Sequence, residues 1–557
     1  MRLLSVDYSP YNRGTMQVDI LLQLADALSA AYSDAALGEL TTEEATKSLS
    51  FCDIEFGDFA SNIAMQRAKE FNQNPRHIAE AICLKLQGHS VIATAEVAGP
   101  GFLNIRLQDS VWHAYLLNLD DQYLFSQAGK GTSVNIEFIS ANPTGPLVLV
   151  NAWNGFYGDV LARLYASQGY GVTREYYLND GGNQIAQLGR AVQQAAGAVF
   201  APEVSEVLYR GSYIDELSQR MADQYGGNDA VQALDPAELG NVVQKIILAE
   251  YIQPTLKRLG ITFDEIYPES ILDNASTVQR LESAQAISRH DGAIWLDAEK
   301  AGLDKDEVLI RSTDNLETYF LKDISYQYGK LVERGFDRAI TIVGPDHHGQ
   351  EKRLVAALDL LGVSGFVPLW TQTVRLIKDG VEYKMSKRRG NFIPLDDFLD
   401  AVPVETARFF FAMRDTNTHF DLNLDVVTAQ NKHNPLYYVM YAYVRMVSVL
   451  QKAEENSIDV SLTSNAQTLP LSERALLRKT LELRQLVVAS ISTHQVHPVL
   501  HALIEFAGLF HDWYEQNPVL KADVDVRSAR LSMIFHLRNA LRGTLELIGI
   551  TPQERME

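Results

Sequence analysis

Cysteine is almost absent from this 557-residue chain, in which only Cys52 and Cys83 occur. Two thiols are too few for a disulfide framework or for a zinc site made of four thiolates. A chain so poor in cysteine is typical of a reducing compartment. We therefore expect a cytoplasmic protein without structural zinc.

Long apolar runs are absent as well. No run reaches the ~18–20 apolar residues that a membrane-spanning helix requires. The first residues, M-R-L-L-S-V-D-Y-S-P, lack the apolar core and the cleavage site of a signal peptide. We expect no membrane partner, whereas the hydrophobic content of 46% is sufficient for several buried cores.

Positive charge is in deficit. The chain has 49 lysines and arginines against 70 aspartates and glutamates, which gives a formal net charge of −21. Such acidity excludes unselective binding to nucleic acid, although a local basic surface remains compatible with it.

Hydrophobic periodicity divides the chain into three regions. Residues 18–107 have a mainly helical pattern and end in a short strand, which indicates a small α/β domain. In residues 133–393 strand-like runs alternate with helical ones, which favours a parallel sheet covered by helices. Residues 395–550 have helical periodicity almost throughout, as in a helical bundle.

We predict an α/β fold with domain boundaries at 1–128, 129–394 and 395–557. These are a small N-terminal α/β domain, a Rossmann-like parallel-sheet domain with a helical insertion, and an all-α C-terminal bundle. The strands predicted for the middle domain, besides the one described next, are 172–178, 293–296, 338–343 and 374–377.

The stretch V-N-I-E-F-I-S-A-N-P-T-G-P-L-V-L-V-N at 134–151 combines a strand with a sharp turn. Its apolar residues alternate imperfectly up to Ser140, which predicts a partly buried strand. Two prolines and Gly145 then end the strand, and helical spacing begins at Ala152. A strand, a turn and a helix N-terminus together form an anion site of the kind that doubly wound folds use for nucleotide phosphates. Many such turns bind nothing, so the turn alone assigns no function.

The loop K-M-S-K-R-R-G at 384–390 is strongly basic. Lys384 and Lys387 would stabilise the negative charge that builds up as pyrophosphate leaves a bound nucleotide. A basic loop without such a role is the alternative when the loop is considered alone.

Together, and in this order, these motifs resemble those of the arginyl-tRNA synthetases, a family of class I aminoacyl-tRNA synthetases. The resemblance extends over nearly the whole chain, including G-D-F-A-S-N at 57–62 and G-P-G-F-L-N-I at 99–105. The blocks that carry it are E-F-I-S-A-N-P-T-G-P-L at 137–147, R-E-Y-Y-L-N-D-G-G-N-Q-I at 174–185, V-G-P-D-H-H-G-Q at 343–350, K-M-S-K-R-R-G-N at 384–391 and N-P-L-Y-Y-V-M-Y-A-Y-V-R at 434–445.

The resemblance implies an arginine–tRNA ligase. Such an enzyme activates L-arginine with ATP to arginyl-adenylate and transfers the arginyl group to the 3′ end of tRNA(Arg). It also implies Mg²⁺ that arrives with ATP, a monomeric chain, an N-terminal domain that contacts the tRNA elbow and a C-terminal domain that binds the anticodon.

One departure from the family concerns its His-x-Gly-His signature. At these positions the chain has Val148, Leu149, Val150 and Asn151, so both histidines are missing. Asn151 retains a side-chain donor, and the loss of a transition-state donor costs ~10²–10³ in rate. We predict an active synthetase with a divergent signature. The alternatives are a catalytically impaired tRNA-binding relative and, less in keeping with the helical C-terminal region, a nucleotidyltransferase of related fold.

Arginine requires a carboxylate partner, preferably in a forked geometry. The resemblance points to Asp323 and Tyr319, which lie four residues apart and share one face if their segment is helical. Without the resemblance, an exposed acid on an ordinary helix surface would be the simpler interpretation. The residues that the resemblance assigns to the substrate arginine are Glu137, Ser140, Asn142, Tyr319, Asp323 and Gln350.

The resemblance also assigns the nucleotide end of the site. The catalytic residues it implies are Lys384, Lys387 and Asn151. Those expected at ATP are Gly145, Pro146, Asn151, His347, Met385, Ser386 and Lys387. We predict no metal site at His347 and His348, because no HxxxH motif or cysteine supports one.

Weaker candidates for tRNA contact lie in the C-terminal region, where stacking surfaces and local positive charge are required. They are Tyr438, Tyr441, Arg445, Arg538 and Arg542. The alternatives are internal packing for the tyrosines and a solvated helix face for the arginines.

Overall fold

The computed structural model of the chain describes residues 19–205, 208–311, 316–344, 351–383, 394–459 and 468–555. Spatial contacts divide the chain into two compact units. The first combines Met1–Ala128 with Pro435–His494 and Pro498–Glu557, and the second consists of Gly129–Asn434 and Gln495–His497. The predicted fold class is confirmed, with a parallel sheet, an N-terminal α/β part and a helical C-terminal part.

The N-terminal part of the first unit is an antiparallel sheet covered by helices. Its strands β1 (Leu49–Phe51), β2 (Phe59–Ser61), β3 (Ile92–Ala98) and β4 (Phe102–Leu107) are ordered β1-β2-β4-β3. Its helices are α1 (Ile20–Asp34), α2 (Thr42–Ser48), α3 (Ile63–Phe71), α4 (Pro75–Leu86) and α5 (Asp109–Leu117). The buried Asp58 carboxylate accepts hydrogen bonds from the Leu107 amide at 2.7 Å and from Trp112 Nε1 at 3.3 Å. It thereby ties the end of β4 to α5.

The second unit contains the remaining strands. They are β5 (Ser133–Glu137), β6 (Gly171–Leu178), β7 (Glu265–Pro268), β8 (Ile287–His290), β9 (Ala293–Leu296), β10 (Glu307–Ile310), β11 (Arg338–Val343), β12 (Phe366–Trp370), β13 (Val374–Lys378), β14 (Val381–Glu382) and β15 (Phe420–Asn423).

The helices of the second unit follow or separate these strands. They are α6 (Leu149–Ser167), α7 (Asn183–Ala195), α8 (Pro202–Ser205), α9 (Ser212–Tyr225), α10 (Asn228–Gln232), α11 (Pro236–Ile247), α12 (Gln253–Arg258), α13 (Asn274–Ser283), α14 (Ala298–Ala301), α15 (Tyr319–Tyr328), α16 (Glu351–Leu360), α17 (Leu395–Ala401), α18 (Val404–Ala412) and α19 (Leu424–Val427). A π-helical turn, Gly329–Glu333, continues α15.

The main sheet is parallel throughout, in the order β12-β11-β5-β6-β7. The predicted half-burial of β5 is wrong, because Val134, Asn135 and Ile136 are all 0% exposed. A central parallel strand is covered on both faces, so its inward and outward residues are buried alike. The chain passes from β5 to β6 on one side, whereas β11 lies on the other, so the strand order reverses between β5 and β11. Such a switch point opens a crevice beyond the carboxyl ends of the strands.

Two predicted strands belong to other sheets. The segment 293–296 is β9 of an antiparallel sheet β10-β9-β8, and the segment 374–377 is part of β13 in a sheet β14-β13-β15. Both sheets contain hairpins with two-residue loops, Asp291-Gly292 and Asp379-Gly380, in which both residues have positive φ. An Asp-Gly pair between two strands strongly indicates a hairpin. The parallel-sheet prediction used only the alternation of strands with helices and so did not include this signal.

Residues 395–434, predicted as the start of the helical bundle, lie in the second unit. Helix α18 packs on α6, where Arg408 Nη1 lies 2.5 Å from Asp159 Oδ2 and the rings of Phe411 and Phe156 are 6.0 Å apart. The predicted helical pattern, which covers almost all of 395–550, is interrupted at β15, whose residues from Phe420 onward pair in parallel with β13.

Four long helices complete the first unit. They are α20 (Pro435–Glu455), α21 (Leu471–Thr493), α22 (His497–Gln516) and α23 (Val524–Leu547). The two segments of strongest amphipathic pattern, 471–488 and 528–547, are confirmed as helices. No helix in the described ranges is long and apolar enough to cross a membrane.

Candidate active site

A cavity of about 370 Å³ opens at the carboxyl ends of β5 and β11, where the strand order of the main sheet reverses. Helix α15 forms one wall, and the chain after β5 and the first residues of α16 contribute others. Polar residues that line it include Glu137, Ser140, Asn142, Tyr177, Glu269, Tyr319, Asp323, Gln327, Thr341 and Glu351.

The residues predicted to bind arginine converge on this cavity. Glu137, Ser140, Asn142, Tyr319 and Asp323 all line it. Tyr319 and Asp323 lie on α15, so their four-residue spacing places them on one helical face. The sixth predicted residue, Gln350, lies outside the described residues.

Asp323 has no partner among the residues that the structure describes. Its carboxylate accepts no hydrogen bond and forms no ion pair with any other residue that the structure describes. Burial, followed by the nearby carboxylates of Glu137 and Glu269, raises the pKa of Asp323 to about 7, against the opposing charges of Lys330 and Arg353. A cationic ligand would stabilise the ionised form of Asp323, because its charge offsets the repulsion from Glu137 and Glu269 and replaces the hydration lost on burial.

Glu137 is already satisfied by protein groups. Its Oε2 accepts hydrogen bonds from Lys330 Nζ at 2.7 Å and from Thr341 Oγ1 at 3.0 Å. Its Oε1 accepts one from Ser140 Oγ at 3.0 Å. A ligand would therefore share the remaining lone pairs of Glu137 rather than meet an unpaired charge.

The turn after β5 carries backbone strain. Ile139 and Ser140 have φ values of 67° and 40°, in the left-handed region that β-branched residues such as isoleucine rarely adopt. This geometry returns the Ser140 hydroxyl to Glu137 and also lets it accept a hydrogen bond from the Tyr177 amide at 3.1 Å. The turn thus fixes the mouth of the cavity to β6.

Glu269 is a further acid of the cavity that the sequence did not reveal. Its carboxylate lies 2.5 Å from Lys322 Nζ and accepts a hydrogen bond from the Tyr177 hydroxyl at 3.0 Å. Burial and the charge of Glu269 raise the pKa of Tyr177 strongly, so this hydroxyl stays protonated. Of Glu137, Glu269 and Asp323, only Asp323 lacks a partner among the described residues.

Sequence reasoning also missed Lys330, Gln327 and Thr341. Gln327 lies one helical turn after Asp323, so the same i, i+4 spacing that related Tyr319 to Asp323 was available to find it. Lys330 and Thr341 carried no such signal, because their positions depend on the π-helical turn and on the register of β11.

The divergent signature residues form the start of α6. Asn151 Oδ1 accepts a hydrogen bond from the Val148 amide at 2.8 Å, so its carbonyl oxygen caps the helix. Gly145, Pro146 and Asn151, which we predicted near ATP, do not line the 370 Å³ cavity. The Tyr213 hydroxyl instead donates to the Thr144 carbonyl beside Gly145, at 3.0 Å. The predicted residues Lys384, Lys387, His347, Met385 and Ser386 lie outside the described residues.

The tRNA candidates occupy the helical part of the first unit. Arg445 lies over the rings of Tyr441, at 4.6 Å, and Tyr514, at 5.0 Å, and Tyr441 is 42% exposed. Tyr438 packs against the His511 ring at 4.6 Å, in keeping with the alternative of internal packing.

The two C-terminal arginines have partners of their own. Arg542 Nη2 lies 2.5 Å from Asp121 Oδ2, and Arg538 lies over Phe535. Burial lowers the pKa of Arg538 from its ordinary value. Tyr441 and Arg445 therefore offer the more accessible stacking surface.

Within the described ranges, no group of three or more His, Cys, Asp or Glu residues is arranged to hold a metal ion. In the same ranges, Glu137 and Glu269 are paired with Lys330 and Lys322 instead, and Asp323 has no partner.

Three family profiles match the chain in succession. They are the arginyl tRNA synthetase N terminal domain at residues 18–107, the catalytic domain of class I tRNA synthetases (R) at 114–419, and the DALR anticodon binding domain at 439–556.

Relatives match over nearly the whole length. Arginine–tRNA ligase of Symbiobacterium thermophilum is 37% identical over 97% of this chain and 98% of its own length. That of Listeria monocytogenes serotype 4a is 37% identical over 90% and 93%.

Two solved structures have a similar fold. The putative arginyl-tRNA synthetase of Campylobacter jejuni is 29% identical, covers 80% of this chain and 99% of its own, and superposes with a TM-score of 0.72. The Thermus thermophilus arginyl-tRNA synthetase, at 21% identity, covers 96% of this chain and 100% of its own with a TM-score of 0.75.

The switch-point cavity, the helical C-terminal part and the full-length relatives agree, and the chain belongs to the arginyl-tRNA synthetase family of class I aminoacyl-tRNA synthetases as an arginine–tRNA ligase.

Proposed function

We propose that the switch-point cavity binds L-arginine and that Asp323 receives its guanidinium group. The single observation that carries the proposal is the carboxylate of Asp323, which has no partner among the described residues, in a cavity whose Glu137 and Glu269 are already paired. A guanidinium offers two parallel donors to one carboxylate. Tyr319, one helical turn before Asp323, covers the same ligand, and Ser140, Asn142 and Gln350 contact its amino-acid end.

The reaction then proceeds in two transfers. The arginine carboxylate attacks the α-phosphorus of ATP, the bond to the β-phosphate oxygen breaks, and pyrophosphate leaves. A ribose hydroxyl of the terminal adenosine of tRNA(Arg) next attacks the adenylate carbonyl and displaces AMP. The protein contributes positioning and charge stabilisation, with Lys384 and Lys387 stabilising the leaving pyrophosphate.

At the nucleotide end, backbone donors and the lysine loop take over from the missing histidines. The N-terminus of α6 and the turn with Gly145 and Pro146 offer amides to phosphate oxygens. Asn151 uses its carbonyl as a helix cap, so only its amide nitrogen remains for the nucleotide. Together with Met385, Ser386 and His347, these groups form the proposed ATP site. No comparison supports the catalytically impaired alternative.

The partners follow from this chemistry. L-arginine, ATP and tRNA(Arg) are the substrates, and Mg²⁺ enters with ATP, held mainly by phosphates and water. Tyr441 and Arg445 stack on anticodon bases, and the N-terminal domain, residues 1–128, contacts the tRNA elbow. The enzyme acts as a cytoplasmic monomer without structural zinc.

Pyrophosphate exchange with arginine, ATP and tRNA(Arg) tests the proposal. Wild-type protein should exchange pyrophosphate only when arginine is the amino acid. The variant Asp323→Asn should fail at arginine concentrations that saturate the wild type, whereas Asp359→Asn, an exposed acid on α16, should behave as wild type. Equal exchange by the two variants would refute Asp323 as the guanidinium site.

A further inference from the structure

Beneath the cavity lies a buried lysine that touches no solvent. Lys330 is 0% exposed and lies in the π-helical turn that continues α15. Its Nζ is 2.7 Å from Glu137 Oε2 and 3.6 Å from Glu175 Oε1, and it lies 3.9 Å from the centroid of the Tyr326 ring. The ammonium group therefore bridges the adjacent strands β5 and β6 under the cavity floor.

The π-helical turn is what brings Lys330 to this position. An extra residue in the turn widens the helix, and such turns are common at functional sites. The same helix that presents Tyr319 and Asp323 to the cavity thus places a cation on the far side of Glu137.

We propose that Lys330 is a positioning residue for arginine binding: it neutralises Glu137 from below, so that Asp323 is the acid whose charge the substrate must balance. This inference rests on the proposed arginine site.

The hydrogen bonds around Glu137 support this assignment. Lys330 Nζ and the Thr341 hydroxyl both donate to Glu137 Oε2. The Thr341 oxygen in turn accepts from Gln327 Nε2 at 3.2 Å. Lys330 thus lies at the start of a chain of hydrogen bonds that runs from Glu137 on β5 through Thr341 on β11 to Gln327 on α15.

Electrostatics links Lys330 to Asp323. The groups that face Asp323 are Glu137 from β5, Glu269 from the segment after β7, Arg353 from α16 and Lys330. The charge of Lys330 lowers the pKa of Asp323, against burial and the two carboxylates, which raise it. Removal of the lysine would leave Glu137 without its cation beside Asp323 and make Asp323 harder to ionise.

The test compares Lys330→Met with Lys305→Met, which removes an exposed lysine. For Lys330→Met, we expect KM for arginine at neutral pH to rise about fivefold, because without the cation a smaller fraction of Asp323 is ionised. The acidic limb of kcat/KM for arginine should move upward by about one pH unit, whereas KM for ATP should stay within about twofold. An unshifted limb, or equal changes in both KM values, would overturn the proposal.

A second variant guards against misfolding of Lys330→Met. In Lys330→Met/Glu137→Gln both charges leave together, which buried pairs tolerate far better than the loss of one partner. The double variant should unfold at nearly the wild-type temperature, with its acidic limb back near the wild-type position. If the acidic limb of kcat/KM in the double variant stays at the pH found for Lys330→Met, the proposal is also overturned. If Asp323→Asn leaves arginine binding intact, the arginine site itself is refuted; if only Lys330→Met is silent, the role of Lys330 alone is refuted.

Discussion

The acids of the cavity, Glu137, Glu269 and Asp323, are referred to as its floor. This floor and the turn before α6 use their polar side chains in opposite ways. In the floor, paired acids surround one carboxylate, Asp323, that has no partner among the described residues. In the turn, the valines have no side-chain donors, and the Asn151 carbonyl is used to cap its own helix. Under the proposed function, recognition of the amino acid depends on a specific side chain, whereas contact with the nucleotide depends on backbone groups and on the lysine loop. The comparison therefore predicts that loss of the histidine signature leaves the selectivity for arginine intact.

The largest effect is expected for Asp323→Asn. A desolvated, hydrogen-bonded charge pair is worth about 2–5 kcal/mol on truncation, so KM for arginine should rise about 10²–10³-fold. KM for ATP should change little, because the proposed nucleotide site is formed by the turn before α6 and the lysine loop. Steady-state aminoacylation with Asp359→Asn as the control measures both. Similar rises in KM for arginine and KM for ATP would contradict the claim that the floor serves the amino acid and the turn serves the nucleotide.

The next effect is a pH dependence. Because the pKa of Asp323 is about 7 in the empty site, and the guanidinium favours the ionised form, arginine affinity should be full above this pH. It should fall about tenfold per pH unit below it. Titrations of arginine between about pH 5.5 and 8.5 should show this limb, and Asp323→Asn should lack it. A flat profile in the wild type would contradict the assignment.

A smaller effect concerns stability without substrate. The folded-state pKa of Asp323 is raised above its ordinary value, so the acid destabilises the folded protein as pH rises from about 4 to 7. Asp323→Asn should therefore stabilise the empty enzyme by about 1–3 kcal/mol above neutral pH and by little in acid. Thermal unfolding of both proteins in acidic and alkaline buffer measures the difference. If the variant were less stable than wild type in alkaline buffer, the claim that the ionised Asp323 destabilises the enzyme without substrate would be refuted.

The smallest effect is expected in the turn. Asn151→Ala removes a helix cap, which costs about 0.5–2 kcal/mol of stability. Its kcat should fall by less than about tenfold, well short of the ~10²–10³ typical of a lost transition-state donor. Thermal unfolding and aminoacylation rates separate the two effects. A loss of the larger size would mean that the Asn151 amide takes over a histidine's role.

The family resemblance, rather than a local pattern, predicts that Glu137, Ser140 and Asn142 share a site with Tyr319 and Asp323. The four-residue spacing added only that Tyr319 and Asp323 share one face of a helix, and α15 supplies that helix. By contrast, Lys330, Thr341 and Glu269 reach the cavity through the π-helical turn, the β5–β11 register and the chain after β7. No local pattern encodes these placements. For the same reason the pairing of Glu137, which spans nearly two hundred residues to Lys330, was not foreseen.

Two strands that the prediction places in the wrong sheet are marked by local sequence signals. The Asp-Gly pairs before β9 and β14 indicate hairpins, yet β9 and β13 were assigned to the parallel sheet. The uniform burial of β5 had no such signal, because a central strand is identified only once its neighbours are known.

The most direct measurement is the proton balance of arginine binding, from calorimetry at about pH 6 in two buffers of different ionisation enthalpy. If the guanidinium pairs with Asp323, an acid that is mostly protonated at this pH in the empty site, wild-type protein should release close to one proton per arginine bound, and Asp323→Asn none. Arginine binding by the wild type without proton release, or with the same release in Asp323→Asn, would contradict the account.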